Sequence, residues 1–282
     1  MNSVPLRRLH FKPATILRRE QTMVSDATTQ TAEGRYAAVN ALQMYYEIHG
    51  SGRPIVLLHG GLITIDTTFG PLIPALAERQ QVIAIELQGH GHTADIDREI
   101  SLGNLAGDVG ALLQQLGIDK ADFFGFSLGG LVSLTVALMH PELVNKLVVA
   151  SIGFRQEGYH EDVRPPGQPG SKRMPTERDF GAMMAAYRRV APDPAHFPEM
   201  AAKVSAAVGA FDGWSPDELR AIGAPTLILV GDTDFIRLEH AIEMYGLIPN
   251  AQLAVLPGTT HMQVMGDADR LLSLVGPFLA AG

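Results

Sequence analysis

Apolar positions along this chain alternate between short unbroken runs and helical stripes. Pro54-Ile55-Val56-Leu57-Leu58 is an unbroken run, as expected of a strand buried on both faces. Gln81–Leu87, Phe123–Phe126, Leu147–Ala150, Pro225–Val230 and Gln252–Leu256 repeat the pattern. Between them, Leu102–Leu116 places apolar residues at 102, 105, 109, 112, 113 and 116, and Gly117 follows as a C-cap should. Helices are also predicted over Phe69–Arg79, with Pro71 and Pro74 blurring the start, over Leu131–Met139 and over Leu271–Leu279. Tyr36–Val39 and Leu42–Ile48, joined by Asn40-Ala41, read as an opening hairpin. Strands alternating with helices imply a mostly parallel sheet with helices on both faces.

The alternation breaks between Ile152 and Gly223. That stretch opens rich in Pro and Gly (Pro165, Pro166, Gly167, Pro169, Gly170, Pro175) and continues as two helix-like runs, Arg178–Val190 and Phe197–Val208. An insertion of this size between two strands reads as a helical cap, 152–223, over a core built from 35–151 and 224–282. Residues 1–34 have no helical or strand period and are expected to form a disordered tail. The tail's first twenty residues carry a net charge of +4. A transit peptide is the competing reading, because no apolar stretch of signal-peptide length follows.

Composition narrows the classes. Hydrophobic residues make up 46% and charged residues 18% of the 282, the profile of a compact globule. A net charge of −8 argues against nucleic acid, whose affinity comes largely from Lys and Arg on phosphates. With no cysteine, disulfides, thiolate metal sites and Cys nucleophiles are excluded, and a cytoplasmic location is expected. No apolar run is long enough to span a membrane. The partner expected is a small molecule, acting on a monomer or homodimer.

The chemistry centres on Gly125-Phe126-Ser127-Leu128-Gly129, where an apolar strand runs into a helix. A serine hydroxyl is a poor nucleophile and needs a base within reach, itself oriented by a carboxylate. Asp234, in Gly231-Asp232-Thr233-Asp234, follows one buried strand, and His261, in Gly258-Thr259-Thr260-His261, follows the next. In a parallel sheet those loops and the serine turn emerge at one edge, where ligands bind. His90 and His92 have a spacing that can ligate metal, but no carboxylate cluster or cysteine adjoins them, so no metal is expected.

At these residues, together with His59-Gly60-Gly61 and Gln88-Gly89-His90-Gly91, the chain resembles the α/β-hydrolase superfamily, specifically its cofactor-independent serine hydrolases. The resemblance covers roughly Arg35 to Leu279. It implies an α/β-hydrolase fold, a triad of Ser127, Asp234 and His261 with Asp232 as the alternative acid, and no cofactor. It also implies an oxyanion hole from the Leu128 N–H and that of Gly61, with Leu62 as the alternative second donor. His59 is read as a structural residue holding that loop, and Glu86 as a loop-orienting carboxylate. From the cap, one or two of Met183, Met184 and Trp214 are expected to touch substrate beside Leu62.

The function expected is hydrolysis of a small carboxylic ester through an acyl-enzyme on Ser127. Carbon–carbon bond hydrolases, lactonases and perhydrolases share the triad and stay open, as does a hydrolase-like small-molecule receptor with little turnover. Relatives that attack with Asp are excluded by Ser127. Leu62-Ile63 after Gly61 lowers the proline iminopeptidase option, whose loop typically continues Pro-Gly.

Overall fold

Segments that are apolar at every position can bury both sides only inside a sheet covered front and back. The computed structural model describes residues 34–163 and 171–281 and contains one such sheet. Its strands are β1 (Arg35–Val39), β2 (Leu42–His49), β3 (Arg53–Leu58), β4 (Gln80–Ile85), β5 (Ala121–Phe126), β6 (Val144–Ala150), β7 (Thr226–Gly231) and β8 (Ala251–Leu256). They lie in the order β1-β2-β4-β3-β5-β6-β7-β8. The first two form an antiparallel hairpin, β2 runs antiparallel to β4, and β3 through β8 are mutually parallel. The expected tail, residues 1–34, lies outside the described residues except for Gly34.

Successive strand residues face opposite ways, so the sheet supports two cores. Val56, Leu58, Ile83, Phe123, Leu147 and Val149 pack against α3 (Leu102–Gln115) and α4 (Leu128–Met139). Their neighbours Ile55, Leu57, Val82, Phe124, Val148 and Leu229 pack on the other face against α1 (Ile65–Phe69), α2 (Ile73–Ala77) and the C-terminal helix, Ala268–Ala280. The architecture is the mixed, mostly parallel sheet between helical layers that the alternation implies.

Two elements differ from the sequence expectation. The helix expected over Phe69–Arg79 is two short helices, because Gly70-Pro71 ends α1 and Pro74 sits in the first turn of α2. A ten-residue helix, Leu238–Leu247, fills the crossover between β7 and β8, where the sequence reading placed none. Two parallel neighbours require such a crossover.

In the 152–223 segment, α5 (Glu177–Val190) starts at a Thr176–Asp179 capping box and α6 (Phe197–Gly209) follows. A short helix, α7 (Pro216–Arg220), precedes β7. The crossover helix is therefore α8 and the C-terminal one α9. Most of the Pro/Gly-rich stretch, residues 164–170, lies outside the described residues. Asp95, in the loop after β4, ties α6 down: it accepts from Lys203 Nζ at 2.6 Å and lies 2.9 Å from His196 Nε2. Among the described residues, no helix is long and apolar enough to cross a membrane.

Candidate active site

The turn from β5 into α4 leaves no room for side chains beside Ser127. A Cβ on Gly125 would collide with the Gly129 carbonyl, and one on Gly129 with the Leu58 carbonyl across the sheet. Both positions are therefore restricted to glycine. The turn forces Ser127 to φ +51°, a left-handed conformation that a non-glycine residue holds only under constraint. Helix α4 begins at once, at Leu128, so its first free amides lie beside the Ser127 hydroxyl.

His261 follows β8 and Asp234 follows β7, and the parallel register carries both to the edge where β5 ends. Ser127 Oγ lies 3.0 Å from His261 Nε2, and His261 Nδ1 lies 2.7 Å from Asp234 Oδ1. A carboxylate oxygen only accepts, so the Nδ1 carries the ring proton and Nε2 is left to accept from Ser127. It is Asp234, not Asp232, that reaches the ring. Asp232 is exposed, and its Oδ1 accepts from Thr259 N–H, joining the two loops.

Asp234 is fully buried. Burial alone would push its carboxyl up, but the charge and hydrogen bond of His261 and donations from Ser151 and the Phe235 N–H outweigh this and hold it below the usual carboxylate range. Phe235 also stacks on the His261 ring, 3.9 Å between centroids and 5° from parallel, which fixes the imidazole plane.

Two buried histidines brace the loops beside Ser127. His59 Nε2 accepts from Leu87 N–H, so its Nδ1 donates to the Gly60 carbonyl, and burial pushes its pKa down to about 3. His90 donates from Nδ1 to Gln88 O, and its Nε2 accepts from Leu62 N–H at 3.1 Å. Burial lowers its pKa to about 4. The Leu62 amide is thus engaged, whereas Gly61 N–H has no partner among the described residues. His92 turns to Glu86, whose Oε2 it meets at 2.9 Å, so the two histidines do not converge on a common point. The one candidate metal cluster among the described residues, Asp95 with His196 and Glu199, shares Asp95 Oδ2 with the Lys203 ammonium.

Ser127 and His261 open into a cavity of about 240 Å³ between the sheet edge and α5–α6. Leu62, Ile63, Phe126, Met183, Val204 and Met262 supply apolar wall, and Phe180, 40% exposed, stands at the rim. Gly61, Leu62, Leu128 and Met183 all line it. Met184 and Trp214 do not: Met184 packs into the helical core, and Trp214 meets the Phe211 ring edge-to-face at 4.6 Å. The sequence reading missed Ser151, which lines the cavity and touches Asp234. It also missed Phe235, although a residue beside the expected acid was an available signal.

Residues 53–188 match the alpha/beta hydrolase fold family. The chain has the α/β-hydrolase fold. A 2-hydroxy-6-oxo-6-(2'-aminophenyl)hexa-2,4-dienoic acid hydrolase of Metapseudomonas resinovorans is 25% identical over 275 residues, covering 91% of this chain and 94% of the relative. A meta-cleavage product hydrolase structure from Pseudomonas fluorescens superposes with a TM-score of 0.73 at 21% identity, covering 88% of this chain and 97% of that one. A thermophilic esterase from Thermogutta terrifontis gives 0.71 at 24%, covering 88% and 98%. At these identities the two structures show a shared fold.

Proposed function

We propose that the chain is a serine esterase acting on small, uncharged carboxylic esters, with Ser127, His261 and Asp234 as its catalytic triad. The observation that carries this reading is the unbroken bond path from Ser127 Oγ through His261 to Asp234, opening into an apolar cavity. His261 Nε2 takes the Ser127 proton as Oγ attacks the ester carbonyl carbon. Leu128 N–H and Gly61 N–H donate to the resulting oxyanion; Leu62 is a poorer candidate because His90 already holds its amide. His261 returns the proton to the departing alkoxide, leaving an acyl group on Ser127. Water, deprotonated by His261, then attacks the acyl carbonyl and releases the acid. Asp234 steadies the imidazolium in both halves.

The relative from M. resinovorans supports a second reading, hydrolysis of a carbon–carbon bond in a dienoic acid. The cavity favours the ester. A carboxylate taken into an apolar cavity needs a cationic partner, and among the described residues no Lys or Arg lines it.

The test is hydrolysis of p-nitrophenyl esters from acetate to octanoate, with Ser127→Ala as the blank. Turnover should fall by about 10⁴-fold or more in the variant, with a melting temperature near wild type. A folded wild-type protein with no Ser127-dependent ester turnover would sink the proposal.

A further inference from the structure

Ser151 belongs to no motif, yet its geometry is as constrained as that of Ser127. It is the first residue past β6 and only 2% exposed. Its N–H donates to Leu229 O on β7 at 2.8 Å, and its Oγ donates to Asp234 Oδ2 at 2.5 Å. Five non-glycine residues among those described have positive φ. Asn40 and Ala41 form the β1–β2 turn, whereas Leu62, Ser127 and Ser151 (φ +60°) all line the active-site cavity. A left-handed backbone costs a non-glycine residue about 1 kcal/mol or more, and glycine would avoid that cost. A serine retained there is accounted for by its hydroxyl.

We propose that Ser151 is a positioning residue for this reaction: its hydroxyl holds Asp234 through Oδ2 so that Oδ1 stays aimed at His261 Nδ1. The inference rests on the esterase reading above. The Asp234 carboxylate has a three-point mount, with Phe235 N–H on Oδ1 at 2.6 Å, Gly231 N–H on Oδ2 at 3.3 Å and Ser151 on Oδ2. The Gly231 contact is long, so without Ser151 the Oδ2 side is weakly held and the carboxylate can rotate away from the imidazole.

The experiment uses Ser151→Gly, which accepts φ +60° without strain and removes only the hydroxymethyl group. Ser151→Ala is the second variant. Both should lose about 10–100-fold in kcat on a short ester, with KM within about twofold. Wild-type kcat in Ser151→Gly would overturn the inference. So would a lower melting temperature with KM rising in step with the fall in kcat, which would assign the bond to folding. A wild-type protein without Ser127-dependent turnover, and unreactive toward an alkyl phosphonate at Ser127, would instead mark failure of the esterase reading itself.

Discussion

His90 uses both ring nitrogens on backbone groups and so fixes the loop that carries Gly61 and Leu62. With Nδ1 on Gln88 O and Nε2 on Leu62 N–H, it holds the chain immediately after Gly61, the proposed oxyanion donor. His90→Ala should therefore lower kcat by about 10-fold or more, because an oxyanion donor works only while preorganised. Binding should change little; steady-state kinetics on a short ester, separating kcat from KM, checks this. At this scale the sequence is readable where motifs name the residues, as with Ser127, Asp234 and His261, which the structure brings within hydrogen-bond reach of one another. It is silent where a residue acts through backbone conformation. Nothing in Val148-Val149-Ala150-Ser151 marks the serine as left-handed, nor does Leu62 advertise that its amide is engaged.

The unread helix α8 shows how an element escapes a periodicity search. His240, Ala241 and Met244 are its buried face, while Ile242 and Tyr245 are more than 40% exposed. Apolar residues on both sides and a buried histidine flatten the stripe that marked α3. The apolar runs within β3 to β7 were legible because burial on both faces keeps polar residues, such as Asp122 and Lys146, to the first half of each strand. Helix α5 carries the element-scale prediction. Phe180 is an exposed aromatic at the cavity rim, placed to meet the far end of a long acyl chain that leaves the cavity. Phe180→Ala should cut kcat/KM for octanoate esters about 10-fold, the effect of roughly 1.4 kcal/mol of lost apolar contact, and leave acetate unchanged. A uniform loss across chain lengths would place Phe180 outside the substrate path.

Over the whole molecule, burial of neutral histidines ties stability to pH. His59, His90 and His240 each accept a backbone N–H at Nε2, from Leu87, Leu62 and Phe154. Burial holds their pKa values near 3, 4 and 4, against 6.5 for an ordinary histidine. Between pH 6.5 and about 4 the unfolded chain takes up these protons and the folded one does not, so stability falls as pH falls. His92, raised by its bond to Glu86, opposes this as a single group. The melting temperature should drop steadily from pH 7 to pH 5; a flat or rising profile would contradict the assignment. Trp214 is the chain's single tryptophan, and it sits between α6 and α7, edge-on to Phe211 and outside the cavity wall. All indole emission therefore originates in the 152–223 segment. The protein carries its own optical reporter there, and fluorescence distinguishes loosening of that segment from melting of the sheet without any label.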